Sequence, residues 1–257
     1  MAKEKSPTSS LEETSIDADL AADEGGRLTT ADVYVRLRRK ILDHSSPPAT
    51  KVNIHHVSQE FGVSPTPVRE ALRLLQGDNL LVATSNKGYA TTKVLDAAGV
   101  RDLYEFRLLI EPWAARTAAS NRLSNPANVL SAELAGFDTN TDSIQHTLIE
   151  HDSRFHGAIL SATDNKTVIQ AFQQSHCHLH LFRIYRLNWP WQDTIDEHAE
   201  ILRGIREADP EAAEKAMREH LYAAYERFSS SLAMDTDETA SLRAPDGPKL
   251  VLGSSLT

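Results

Sequence analysis

Asp152 and His156 stand four residues apart in EHDSRFHGAIL, a spacing that on a helix projects both side chains from one face. Two more histidines, His198 and His220, fall in later helix-forming runs, one after Pro190 and one after Pro210. One carboxylate with three imidazoles suits a borderline divalent ion, zinc or nickel foremost, with manganese or cobalt as alternatives. Taken singly, each of these histidines reads more simply as a surface or satisfied core residue, and spacing alone does not bring three helices together. Arg107 lies one turn before Glu111. Such a guanidinium can hold a carboxylate ligand by bidentate hydrogen bonds, or simply pair with Glu111 along its own helix. HCHLH, residues 176–180, has ligand spacing at His176 and His180. The simpler reading is that Phe172, His176, Leu179 and Arg183 form one stripe on a half-buried helix, with His176 and Arg183 beside a pocket.

The elements that must position these groups are helical. From residue 95 to 233 good helix formers dominate and strand-like alternation is absent. Breaks at Asn125-Pro126, Asn188-Trp189-Pro190 and Asp209-Pro210 divide this block into roughly six helices. Pro112, inside a helix expected over Val100–Ala119, deletes the bond to Leu108 and predicts a kink. A bundle of this size can enclose a pocket between its helices. Trp189 and Trp191 flank Pro190, where packing or a pocket lid explains them equally well.

Residues 28–94 are organised differently. A helix over Thr30–Asp43, with Val33, Leu37 and Ile41 on one face, precedes a loop holding Pro47-Pro48 and a helix around Ile54–Phe61. In FGVSPTPVREALRLL, residues 61–75, Gly62 provides a turn and Ser64 suits a helix N-cap. Pro65 and Pro67 fall in the first helical turn, where backbone N–H groups lack intrahelical partners. Val68, Ala71, Leu72 and Leu75 make one apolar stripe, and Thr66, Arg69 and Arg73 lie opposite it. LLVAT and YATTKV then read as a hairpin turning at Asn86-Lys87-Gly88. Three helices and a hairpin is the order of a winged helix-turn-helix, whose third helix enters the DNA major groove. The prolines fix the start of that helix because its N-terminal residues meet DNA.

Charge supports this division. The net charge of −9 argues against nucleic acid until the chain is split. Residues 1–26 carry 2 basic and 7 acidic side chains, residues 27–93 carry 10 and 5, and the remainder carry 15 and 24. The winged block is therefore a basic island between acidic neighbours, an electrostatic footprint for an anionic partner. Residues 1–27 read as a disordered acidic tail and 234–257 as a flexible one. One cysteine, Cys177, precludes an intrachain disulfide and fits a reducing cytoplasm. The N-terminus lacks the apolar core of a signal peptide, and no run approaches a membrane span.

VSPTPVREALRLLQGDNLL followed by NKGYATTKV resembles the DNA-binding domain of GntR regulators. YEFRLLIEPWAARTAA and HDSRFHGAIL resemble the FCD ligand-binding domain of the FadR-like branch, and together the similarity spans about residues 28–230. The resemblance implies a mainly α fold, a winged helix-turn-helix followed by an FCD-like helical bundle. It implies that Ser64, Thr66 and Arg69 contact DNA, with Lys87 and Gly88 in the wing and Arg73 on the same exposed face. It aligns Asp152, His156, His198 and His220 with FCD metal ligands, and Arg107 and Glu111 with pocket positions. Three departures stand out: Pro65 where arginine is usual, His55 where relatives often carry arginine, and HSSPPAT in place of a Gly-rich turn.

The expected function is a bacterial transcriptional regulator, most simply a repressor. It would bind double-stranded operator DNA as a homodimer and sense a small carboxylate in a metal-containing pocket. The rival reading is a metal-dependent hydrolase using the same Asp/His cluster. That reading leaves the basic winged block unexplained and has no obvious general base, although Glu150 and Glu197 adjoin ligand positions.

Overall fold

The computed structural model describes residues 28–85, 88–141, 143–184 and 191–237. The tails, the hairpin tip with Asn86 and Lys87, and Trp189 lie outside the described residues.

The N-terminal unit runs α1 (Thr30–Leu42), β1 (Lys51–Val52), α2 (Ile54–Glu60), α3 (Pro65–Gly77), β2 (Leu81–Thr84) and β3 (Gly88–Thr91). Thr29 and Asp32 close a reciprocal capping box at the start of α1. Asn53 caps α2 by accepting from the backbone N–H groups of His55 and His56. Ser64 takes the N-cap position of α3, but its side chain makes no capping hydrogen bond, contrary to the sequence expectation. The prolines already fix the helix start, and Pro67 at the third helical position removes one of the two donors such a cap would satisfy.

Val33, Leu37 and Ile41 of α1 meet Val68, Ala71, Leu72 and Leu75 of α3 in a core where all four α3 residues are fully buried. Truncating Leu72 to alanine there costs about 2–5 kcal/mol. The expected hairpin is a three-stranded antiparallel sheet of order β1-β3-β2, with Lys51 opposite Ala90 and Leu81 opposite Thr91. β1 escapes sequence reading because two residues carry no periodicity. β3 ends at Thr91, short of the expected Val94, and Thr91 Oγ1 instead donates to the Pro47 carbonyl at 2.6 Å.

The C-terminal unit contains α4 (Ala97–Ser120), α5 (Ala127–Ala135), α6 (Ile144–Ser161), α7 (Lys166–Ser175), α8 (Cys177–Phe182), α9 (Trp191–Arg206) and α10 (Pro210–Asp237). That makes seven helices among the described residues rather than six. The additional break is at His176, whose φ of 46° ends α7 and starts α8. A side chain in that left-handed region costs about 1–2 kcal/mol, and no breaker residue announces it. The expected continuous stripe of Phe172, His176, Leu179 and Arg183 therefore does not exist.

α4 runs unbroken through the buried Pro112. Its small residues Ala114, Ala115, Ala118 and Ala119 are all buried in the bundle core, which also holds Phe155, Ile201 and Leu221. α9 and α10 approach closely at Gly204, where a Cβ atom would lie 2.6 Å from the Ala213 backbone nitrogen. The two units have distinct cores, but Ile149 of α6 and Leu179 of α8 pack into the winged cluster.

Candidate functional site

α6 presents Asp152 and His156, α9 presents His198, and α10 presents His220. One ligand atom from each of the four lies within 4.8 Å of the other three, and all three histidines are buried. Asp152 Oδ1 is 3.5 Å from His156 Nε2 and 3.4 Å from His198 Nε2. These distances are long for hydrogen bonds, and neither Nε2 atom has a hydrogen-bond partner. Buried, unpartnered ring nitrogens facing one carboxylate oxygen are the donor set a divalent cation takes.

The opposite edge of each ring is held. His156 Nδ1 meets Glu111 Oε2 in a very short contact. His220 Nδ1 donates to Glu197 Oε2 at 2.7 Å. His198 Nδ1 lies 2.9 Å from His151 Nε2, and His151 Nδ1 lies 3.1 Å from Glu133 Oε1. Phe155 stacks parallel on the His198 ring with centroids 4.1 Å apart. Such outer partners fix the tautomer that turns Nε2 toward a cation. The roles of His151, Glu133 and Glu197 as ring partners were not legible in the sequence, because each pairs with a ring 18 to 47 residues away and only folding brings them together.

The electrostatics of His198 and His220 fit the same arrangement. Burial, reinforced by His220 and His156, drives His198 well below the ordinary imidazole range, and burial also lowers His220. A neutral imidazole is the form that ligates. Burial opposes charge on His156, but Glu111 and Asp152 outweigh it and raise its pKa. Burial likewise opposes charge on Asp152, yet His156 and His178 hold it well below the carboxylate range. Glu111 stays ionised for the same reason, with Arg107 and His156 outweighing its burial.

A cavity of about 440 Å³ opens beside the cluster. Asp152 and His220 form part of its wall, together with Tyr104, Arg107, His178 and Trp191. Arg107 Nε donates to Glu111 Oε1 at 2.5 Å, while its Nη2 is buried without a partner, as is Tyr104 Oη. Arg107 thus pairs with Glu111 along its own helix and also forms part of the cavity wall. His176 and Arg183, expected in the lining, are absent from it. The break at His176 rotates the next helix, so that His178 and Leu181 face the cavity. Arg183 points instead to the interdomain linker, where it donates to Thr92.

On the winged unit, His55, Thr66, Arg69 and Arg73 are exposed, while Ser64 and Gly88 are half-buried. Arg73 Nη1 donates to Glu70 Oε1 at 2.9 Å, so its charge is partly engaged. Lys87 lies outside the described residues.

A winged helix-turn-helix joined to an all-helical domain defines a DNA-binding transcriptional regulator. The chain belongs to the GntR family, in its FadR-like branch: the model for bacterial regulatory proteins of the gntR family matches residues 29–90 and that for the FCD domain residues 102–223. It is similar to the HTH-type transcriptional regulator YdhC of Bacillus subtilis, 24% identical over 73% of this chain and 85% of that protein. The HTH-type transcriptional repressor RspR of Escherichia coli is 27% identical over 74% of this chain and 84% of its own length. Among solved structures, Escherichia coli McbR/YncC has the same fold, with a TM-score of 0.57 and 17% identity over 82% of this chain and 98% of that one.

Proposed function

We propose that this protein is a repressor that binds operator DNA as a homodimer and is switched by a small carboxylate held beside a divalent metal ion. The observation that carries this reading is the cluster of Asp152, His156, His198 and His220, with unpartnered Nε2 atoms on His156 and His198, at the wall of a cavity that also receives Arg107. These four residues would hold the ion, zinc or nickel by preference, and the ion would supply a Lewis-acidic site for a carboxylate oxygen. Arg107 Nη2 and Tyr104 Oη would take the remaining oxygens, since both are buried donors in need of an acceptor.

Thr66 and Arg69, exposed at the N-terminal half of α3, would read the major groove, with Ser64, Arg73 and His55 contacting phosphates and Lys87 and Gly88 forming the wing. Exposed Leu109 and Trp113, one turn apart on α4, support a homodimer through that helix. Among the described residues no helix is long and apolar enough to cross a membrane, and the reading places the protein in the cytoplasm. The regulator reading accounts for both units, whereas a hydrolase would leave the winged unit idle. Glu197, which adjoins His198 in sequence, is already engaged by His220 and Arg227.

Native mass spectrometry of the purified protein, before and after chelation, tests the proposal. The expected result is a dimer carrying one metal ion per chain, with a small acid that leaves when the metal is stripped. A dimer that takes up neither zinc nor nickel would remove the metal from the account.

A further inference from the structure

Asp152 divides its carboxylate between two structures. Oδ1 faces the Nε2 atoms of His156 and His198, while Oδ2 accepts from His178 Nδ1 at 2.6 Å. His178 is 7% exposed and lies on α8, a helix of six residues, next to Leu181 on the cavity wall. Other residues of the same segment belong to the DNA-binding half. Leu179 packs on the winged core, and Arg183, just past the end of α8, grips the linker. Arg183 Nη1 donates to Thr92 Oγ1 at 2.5 Å and Nη2 to the Thr92 carbonyl at 2.6 Å. Thr92 is tied in turn to the base of the wing, its N–H donating to the Leu80 carbonyl at 3.0 Å.

Two features make this connection suited to switching rather than to stapling. Arg183 is 2% exposed, and among the described residues no carboxylate pairs with it, while its Nε has no partner. Among the described residues this buried cation meets only the neutral acceptors of Thr92, an incomplete compensation that leaves the docked arrangement poised for release by a small displacement. The left-handed turn at His176 separates α8 from α7, which lets α8 shift without dragging the preceding helix.

We propose that α8 couples occupancy of the metal centre to the orientation of the DNA-binding unit, taking its input at His178 through Asp152 and delivering it through Arg183 to Thr92. The proposal rests on the metal reading above and adds the route by which the winged unit is informed. A cation drawn to Asp152 Oδ1 changes the charge and position of the carboxylate that anchors His178, and α8 moves with its anchor. Linkage then requires reciprocity: whatever factor zinc applies to docking of the linker, the latch applies to zinc affinity.

The test uses the full-length protein, stripped with a chelator and reloaded with zinc. Hydrogen exchange is followed across residues 88–96, and zinc affinity is measured by chelator competition. In the wild type, zinc is expected to change linker protection several-fold. Arg183→Gln is expected to exchange faster in the linker, to lose the response to zinc, and to shift zinc affinity by the factor zinc exerts on the wild-type linker. Thr92→Val, which removes the hydroxyl acceptor and keeps the carbonyl, should shift both readouts in the same direction by less, and it guards against a fold defect in the arginine variant. A loosened linker with wild-type zinc affinity would reduce Arg183 to a static staple and overturn the coupling. Zinc uptake with an indifferent wild-type linker overturns the coupling alone. No zinc uptake at all overturns the metal reading, and the coupling falls with it.

Discussion

At the scale of the residue, the site is defined as much by what holds each imidazole as by the imidazoles themselves. Glu197 fixes the His220 ring through Nδ1 and is itself clamped by Arg227 Nη1 at 2.5 Å and Nη2 at 2.8 Å. Glu197→Gln keeps the shape but weakens the acceptor, so zinc affinity is expected to fall roughly 10- to 100-fold while the thermal midpoint of the metal-free chain stays nearly constant. Chelator competition on the two proteins decides this, and equal affinities would place Glu197 outside the site. Arg69 acts independently at the other end of the chain. It is exposed on α3, and Arg69→Ala is expected to cost about 1–3 kcal/mol of operator affinity. Zinc content should be unaffected. Gel-shift titration with retained DNA affinity would mean that α3 does not read the groove through this side chain.

At the scale of the element, backbone proximity decides what a helix tolerates. The apolar stripe of α3 is ordinary, but α9 and α10 meet where only glycine fits. A Cβ on Gly204 would sit 2.6 Å from Ala213 N and 2.8 Å from Ala213 Cα, both backbone atoms that cannot swing aside. Gly204→Ala is therefore expected to destabilise the bundle by about 1–3 kcal/mol despite alanine's better helix propensity. Denaturant unfolding checks the sign: a variant more stable than the wild type would show that propensity outweighs the clash. Because His198 and His220 lie on these two helices, the same variant should also bind zinc more weakly.

At the scale of the whole molecule, charge is divided between an acidic bundle and a basic winged unit. Residues 27–93 carry 10 basic and 5 acidic side chains within a chain of net charge −9. DNA affinity is thus expected to fall steeply with salt. The two-fold symmetry of an operator calls for two winged units, and exposed Leu109 and Trp113 on α4, 72% and 41% accessible, mark the surface we assign to that pairing. Leu109→Glu should shift the protein toward monomer in sedimentation and weaken operator binding, with zinc content intact. A variant that remains dimeric would move the interface elsewhere.

The sequence alone determined the class of fold and singled out Asp152, His156, His198 and His220, which the structure brings together. Periodicity marked the α3 stripe, the basic island marked the DNA-binding unit, and one i, i+4 acid–histidine pair with two later histidines carried the resemblance to FCD domains. Those signals are local or compositional, so they survive without knowledge of packing. Tertiary structure alone decided which histidine of HCHLH reaches Asp152 and the cavity wall. A single left-handed residue, His176, broke the expected helix face, sending His178 to Asp152 and Arg183 to Thr92. It also supplied His151, Glu133 and Glu197 as partners to rings far away in the chain, and it placed Gly204 against a backbone nine residues on. Contacts between elements depend on how helices cross, and helix crossing is set by the summed packing of many side chains rather than by the spacing of any few.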